Sequence, residues 1–373
     1  MTDATDSGRP RRVVVLIDIL SAGGAERAAV DLAAGLQPDR FCAELLVTQH
    51  TGPLEKLARR HGVPITILGR KWGFAPRKFA RAVRLVRDAD LLHAHKFEGG
   101  CWGVLIARFA RRPVIVHEQN AYGGEKTFVR TLLYRHWIAR GARAIVCVSE
   151  DIVAWLLELG VPRSLLHLVP NGVPLAVAIE RDAARHELGL ATDAFVIGIV
   201  ARLRKQKRHD ILLEATARLR ADGRRVVVCI VGDGPERADL ERHAVALAID
   251  DALVWTGEME DPGRLASAFD VSVLSSDFEG MPLAALEAMA AGVPLVATEV
   301  GGLPDLLAGG AGVLVPRRNP VALADAIARL ADDPAVREAM GRLGQTRVRD
   351  RYSLEQSLRA VERVYDVALA RSD

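Results

Sequence analysis

Short apolar runs rich in Val, Ile and Leu recur along this chain, separated by longer stretches whose apolar residues are spaced near 3.6. The first seven runs predict strands at Val13–Asp18, Phe41–Val47, Pro64–Leu68, Asp90–His93, Val114–His117, Ala144–Val148 and Leu166–Val169. Ala25–Leu36 and Lys126–Ile138 read as two of the helices between them. After ValProAsnGlyValPro (169–174) and the polar stretch Arg181–Glu187, the rhythm restarts. Its strands are then Phe195–Val200, Val226–Val231, Leu253–Trp255, Val271–Leu274, Pro294–Ala297 and Gly312–Val315. Strands apolar on both faces that alternate with helices belong in a parallel sheet covered on each side. The pattern therefore predicts an α/β chain of two doubly wound parallel-sheet domains, joined near residues 170–190. A last helix opens with Ser353 and Gln356 at capping-box spacing and runs toward Ala370. Ligands of such sheets bind beyond the carboxyl ends of the strands, so chemistry is expected at the strand exits.

Composition narrows the function. The 373 residues, half of them hydrophobic, supply two large cores. No apolar run approaches the roughly 18 residues of a membrane span. The polar N-terminus and the run Val13–Leu20, broken by Asp18, do not make a secretory signal. Cys42, Cys101, Cys147 and Cys229 lie far apart, with no CxxC and no histidine at zinc spacing. A disulfide scaffold and a structural zinc are thus disfavoured, and the cytoplasm is the expected setting. Aromatic residues, 5% of the chain, are too sparse for a base-stacking surface, so no nucleic acid is expected as partner. Charge is uneven: residues 1–175 carry 25 Lys and Arg against 16 Asp and Glu, the remainder 25 against 31. A basic front half suits an anionic partner, although solvated helix faces give the same bias.

Several strand exits carry groups suited to binding. SerAlaGlyGlyAlaGluArg (21–27) opens a helix after the first strand. Gly23 and Gly24 there let backbone N–H groups approach an anion; a plain tight turn uses the same residues. LeuLeuHisAlaHis (91–95) and ValHisGluGlnAsn (116–120) each close a strand. His93 and His95 share a strand face, which admits a metal pair, but no third ligand stands at a readable spacing, so no metal is expected. His117 is either a satisfied structural histidine or a polar group at a reacting centre.

The second half is more specific. ValAlaArgLeuArgLysGlnLysArg (200–208) places a basic cluster after a strand, with Arg202 as a fork and Lys207 as a point charge for phosphates. Gly232-x-Gly234 invites a dinucleotide reading that Pro235 and Arg237 spoil. In 277–297, Glu279 lies in a loop before a helix begun by Pro282 or Leu283, and Glu287 stands a little over one turn into it. The two carboxylates reach different parts of one extended ligand, with helix N-terminal amides facing any phosphate between them. Carboxylates of this kind hold the vicinal hydroxyls of a sugar or ribose. GlyGlyLeuProAsp (301–305) adds a tight turn beyond the next strand.

In order, GGAER, HAH, VHEQN, VPNGV, ARLRKQK, VGDGPE, EGMPLAALE and AGVPLVATEVGGLPD resemble the retaining glycosyltransferases of family 4, from about Val13 to Tyr365. Residues 277–305 are the most specific part. The resemblance implies the GT-B fold, two Rossmann-like domains facing a cleft. Residues 1–12 would be a flexible N-terminus, 13–175 an acceptor-binding domain and 176–351 a sugar-nucleotide-binding domain. The helix 352–373 would cross back to the N-terminal domain. The resemblance also implies metal-independent transfer with retention, needing no cofactor, from a nucleotide-diphosphate sugar of the UDP type. Arg202 and Lys207 would neutralise the diphosphate, Glu279 would touch the sugar hydroxyls, and Glu287 the ribose. Amides around Gly280, Met281 and Leu283 would hold phosphate and sugar. His117 matches the histidine near the transferred sugar, and Gly23 and Gly24 the loop near phosphate and acceptor. Arg208, where the family commonly has glycine, and Asp305, where glutamate is more usual, depart from the pattern.

Three rivals share parts of this pattern. They are a sugar-nucleotide epimerase of the same fold, a nicotinamide dehydrogenase disfavoured by the missing fingerprint, and a non-catalytic sugar-nucleotide-binding protein. The acceptor is expected to be a small molecule or lipid-linked, in cell-envelope polysaccharide, glycolipid or glycoconjugate synthesis. In 70–87, Pro76 can begin a helix with Arg77, Lys78, Arg81, Arg84 and Arg87 on one side and Phe79, Ala82, Val83 and Val86 on the other. With Trp72 and Phe74 beside it, that basic side is either solvated or a peripheral contact with the inner face of an anionic membrane.

Overall fold

The computed structural model describes residues 9–70, 75–119, 128–175 and 178–370. Two compact units divide the described chain. One runs to Pro170 and resumes at Ser357, and the other spans Asn171–Gln356. Residues 1–8 of the expected flexible N-terminus, and Trp72 and Phe74, lie outside the described residues.

Seven strands form the first sheet: β1 (Arg11–Ile19), β2 (Phe41–His50), β3 (Ile65–Ile67), β4 (Leu91–His95), β5 (Val114–Glu118), β6 (Ala144–Cys147) and β7 (Leu166–Leu168). Their order is β3-β2-β1-β4-β5-β6-β7, with every pairing parallel. The second sheet has β8 (Phe195–Val200), β9 (Val226–Val231), β10 (Leu253–Gly257), β11 (Val271–Leu274), β12 (Leu295–Thr298) and β13 (Val313–Val315). Its order is β10-β9-β8-β11-β12-β13, also parallel. Burial explains why the pattern was readable: β4, β5, β6, β11 and β12 are buried along their whole length, so apolar residues dominate them, and the polar exceptions in β4 and β5 gather toward the carboxyl ends. In both sheets the strand order reverses beside the first strand, between β1 and β4 and between β8 and β11. That reversal opens a crevice at the carboxyl ends. The motifs at Gly23, Arg202 and Glu279 follow β1, β8 and β11, and His95 ends β4.

Two local differences from the sequence reading matter. β4 continues to His95 rather than stopping at His93, so both histidines are strand residues. Arg181–Glu187, within the joint read at 170–190, is a helix of the second unit. Its Arg185, 1% exposed, is held by Asp270 at 2.8 Å and donates to the Ala268 carbonyl.

The capping box forms as expected: Ser353 N–H donates to Gln356 Oε1 and Gln356 N–H to Ser353 Oγ, both at 3.3 Å. The helix it opens, Leu354–Ala370, belongs to the first unit from Ser357 onward. Glu362 accepts from Gln37 N–H at 2.8 Å and from Arg40 at 3.0 Å, and Phe41 meets the Tyr365 ring edge-on at 5.3 Å. A charge pair with one partner buried resists separation far more than a surface pair does.

Candidate active site

At the exits of β8 and β11 two loops are stitched together. Asp277 N–H donates to the Gln206 carbonyl at 2.8 Å, and Gln206 Nε2 donates to the Phe278 carbonyl at 2.9 Å. Ser275 Oγ donates to the Lys207 and Arg208 carbonyls at 3.0 and 2.9 Å. This framework brings Lys207 Nζ to 2.6 and 2.9 Å from the two oxygens of Glu279, and Ser276 Oγ donates to the same carboxylate at 2.6 Å. Glu279 is 5% exposed, so its charge is satisfied almost wholly by these two groups. Ser276 escaped the sequence reading, although a hydroxyl three residues before a loop carboxylate is a usable signal.

Glycine makes the loops fit. Gly301, at φ +54°, lies against the chain at Glu279 so closely that a Cβ would overlap the Glu279 carbonyl oxygen. Gly302 N–H then donates to the Gly280 carbonyl at 2.8 Å. Gly232 and Gly234 do the same against Ala201 and Leu203, so the GDG motif seats the loop that carries Arg202. Asn171 of VPNGV donates through Nδ2 to the Met281 carbonyl at 2.8 Å. The motif was visible, but its anchoring partner 110 residues away was not.

Pro282 is extended (φ −70°, ψ 126°) and Leu283 begins the helix Leu283–Ala290. Ala285 and Leu286 N–H groups both turn back to the Pro282 carbonyl, which leaves the Leu283 and Ala284 amides at the helix start. Glu287 is half-buried on this helix beside Gly263, where a Cβ would come within 2.5 Å of its carboxyl carbon. Arg202, also half-buried, follows β8. Arg208 has φ +50° and ψ 47°, a left-handed conformation that accounts for glycine being the family's usual choice. Its guanidinium is fixed by Asp210 at 2.6 Å and Asp277 at 3.6 Å. Asp305 is exposed.

The first unit has its own cluster. Gly23 caps the helix Gly24–Gly35, and the buried Glu26 two positions beyond Gly24 pairs with Lys96, the residue after β4 that opens the helix Lys96–Ala110. Parallel register sets His95 of β4 opposite His117 of β5. His93, His95 and His117 thereby turn ring nitrogens to within 4.8 Å of one another, so His117 is the third member that linear spacing could not name. His93 uses both nitrogens, Nδ1 with Tyr365 Oη at 2.8 Å and Nε2 with His117 Nδ1 at 3.1 Å. Burial holds His93 and His95 well below the ordinary imidazole range and pushes His117 down to about 3, so all three are neutral at pH 7. Burial also lifts Glu118 to about 8, with the Tyr134 hydroxyl offsetting part of the rise.

A parallel sheet with a cation, two carboxylates and helix-start amides beyond its strand exits has the groups to hold a nucleotide sugar. Comparison with known proteins agrees. The family model described as Glycosyltransferase Family 4 matches residues 22–177, and that of Glycosyl transferases group 1 matches 180–347. The 2-deoxystreptamine glucosyltransferase of Streptomyces kanamyceticus is 30% identical over 87% of this chain and 89% of its own length. The Escherichia coli UDP-Gal:alpha-D-GlcNAc-diphosphoundecaprenol alpha-1,3-galactosyltransferase is 31% identical over 65% of this chain and 67% of its own. The solved structure of Anabaena HepE in complex with UDP and glucose superposes with a TM-score of 0.86 at 22% identity, covering 95% of this chain and 99% of that one. The chain belongs to glycosyltransferase family 4 and has the GT-B fold.

Proposed function

We propose that this glycosyltransferase moves a sugar from a UDP-type nucleotide sugar, with retention of anomeric configuration and without a metal or other cofactor. The observation that carries the reading is the pair of half-buried Lys207 with buried Glu279, just before the Leu283 helix. Breaking the anomeric C–O bond leaves charge on a diphosphate, which fixed donors must stabilise. Arg202, Lys207 and the amides around Gly280, Met281 and Leu283 are assigned that task. Glu279 positions Lys207 before the donor arrives. When the ammonium turns to the phosphate, the carboxylate is left to accept from sugar hydroxyls. Glu287 takes the ribose hydroxyls, His117 the transferred sugar, and Gly23 and Gly24 the phosphate and acceptor. Same-face attack, with the leaving phosphate helping to take the acceptor proton, needs no protein nucleophile.

UDP in the names of HepE's complex and of the E. coli relative supports the base. The acceptors those relatives' names print, 2-deoxystreptamine and a diphosphoundecaprenol-linked sugar, support a small or lipid-linked acceptor hydroxyl in polysaccharide, glycolipid or glycoconjugate synthesis. Calorimetry separates the two glutamates. Glu287→Ala is expected to weaken free UDP by tenfold or more, the scale of a charged hydrogen bond. Glu279→Ala leaves UDP binding within about threefold while slowing turnover at least tenfold. The reverse pattern would contradict both assignments.

Among the described residues no helix is long and apolar enough to cross a membrane. Contact with the cytoplasmic membrane face is assigned instead to the helix Pro76–Arg87. It buries Ala82, Val83 and Val86 and exposes Arg77, Arg81, Arg84 and Arg87, while Lys78 donates to the Gly69 carbonyl. Reversing Arg77, Lys78 and Arg81 to Glu should weaken binding to anionic vesicles by about 100-fold or more at low salt. Equal binding of wild type to neutral and anionic vesicles would remove this assignment.

A further inference from the structure

We propose that Tyr365, on the C-terminal helix, sets the tautomer of His117 through His93, so that neutral His117 presents an Nε2–H donor to the transferred sugar. The proposal rests on the reading of His117 given above and adds two positioning residues to it.

The chain of contacts is short and dry. Tyr365 Oη lies 2.8 Å from His93 Nδ1, and His93 Nε2 lies 3.1 Å from His117 Nδ1. Tyr365 and His93 are fully buried, and His117 is 5% exposed. His93 is the hydrogen-bond partner of Tyr365 Oη among the described residues. Direction follows from counting protons. If the phenol donates, His93 Nδ1 accepts and the imidazole proton sits on Nε2. That proton is given to His117 Nδ1, and the proton of His117 is left on Nε2. If the chain runs the other way, His117 Nε2 becomes a bare acceptor and the phenol O–H is buried with nothing to receive it. Each direction leaves one buried donor unmade before substrate binds, His117 Nε2–H in the first and the phenol O–H in the second. The second also strands the imidazole lone pair, a stronger acceptor than a phenol oxygen, and a sugar oxygen at His117 Nε2 satisfies the donor only in the first. The phenol left orphaned in the second costs about 1–3 kcal/mol, which selects the first direction.

No competing partner intervenes. His95 stacks on both rings, with centroids 4.8 Å from each, and neither of its nitrogens has a hydrogen-bond partner among the described residues. His117 Nε2 is likewise buried without a partner among them. A neutral imidazole fixed as the Nε2–H tautomer is a donor toward a sugar oxygen and cannot take a proton there. Tyr365 reaches this site from 272 residues along the chain, because its helix folds onto the first unit.

The test is nitrogen NMR of histidine-labelled protein, with His117 identified by the signals lost in His117→Gln. Wild type should show His117 as the Nε2–H tautomer. Tyr365→Phe keeps the ring and its edge contact with Phe41 but removes the directing proton. It should give mixed tautomers at His117 and a fall in kcat of about tenfold, the scale of one hydrogen bond. An Nδ1–H tautomer in wild type, or an unaltered tautomer in a folded Tyr365→Phe, would overturn the relay. A tautomer shift with unchanged kcat would instead overturn the role of His117 on which the proposal rests.

Discussion

Replacing Lys207 by alanine is expected to slow sugar transfer by about 100-fold or more and to destabilise the protein by about 2–3 kcal/mol. The rate effect follows from removing a charged donor whose partner gains charge in the transition state. The stability effect has a separate origin. Among the described residues Glu279 keeps only the Ser276 hydroxyl once the ammonium at 2.6 and 2.9 Å is gone, and a buried carboxylate without its cation is costly. The two effects can be pulled apart. In Lys207→Ala with Glu279→Gln the carboxylate is neutralised, so most of the stability should return while transfer stays slow. Urea denaturation and initial rates on wild type and the two variants measure this. A single mutant with wild-type rate and donor affinity would contradict the phosphate assignment.

Gly301→Ala should be the most disruptive single methyl in the second unit's loops. At φ +54° any side chain costs about 1–2 kcal/mol, and here the added Cβ would also overlap the Glu279 carbonyl oxygen. The 277–282 loop must move, breaking the Gly302-to-Gly280 hydrogen bond and displacing the Gly280 and Met281 amides assigned to the phosphate. A loss of about 3 kcal/mol, with at least tenfold weaker UDP binding, is expected. Gly309 is the control. It has a similar φ of +62°, but the nearest atom to its Cβ would be Arg347 Nη2 at 3.5 Å. Gly309→Ala should therefore show the conformational cost alone, with UDP binding unchanged. Equal effects at both positions would mean that the close approach at Gly301 has no part in shaping the loop.

Most of the fold was readable because strands covered on both faces are mostly apolar, and all thirteen such runs read in the sequence form strands. The site was readable to the extent that it uses strand exits. Glycines and charges at 23–24, 202–207 and 279–287 stand out against apolar flanks. What stayed hidden depends on chain segments meeting. Lys207 and Glu279 were assigned to different parts of the donor, and their pairing across 72 residues has no local sign. His117 completes the histidine cluster only through the register of β4 on β5. The helix Arg181–Glu187 was missed for another reason. Its buried residues are Ala184 and Arg185, and Arg185 is a charge that hides burial because its partner Asp270 is 85 residues away. Tyr365 reads as one more apolar position on an amphipathic helix, and only its place against His93 marks the hydroxyl.

The most direct test of the central claim follows the products of UDP-sugar donors offered with candidate acceptors, in the presence of a chelator. Proton NMR of the anomeric signal in the first minutes reports donor consumption and linkage together. Transfer from an α-linked UDP-sugar should proceed at an undiminished rate in chelator and give an α-linked product. A β-linked product would contradict retention. Loss of transfer in chelator would contradict stabilisation of the leaving diphosphate by Arg202, Lys207 and the helix-start amides, and release of a free epimer without acceptor would contradict transfer itself.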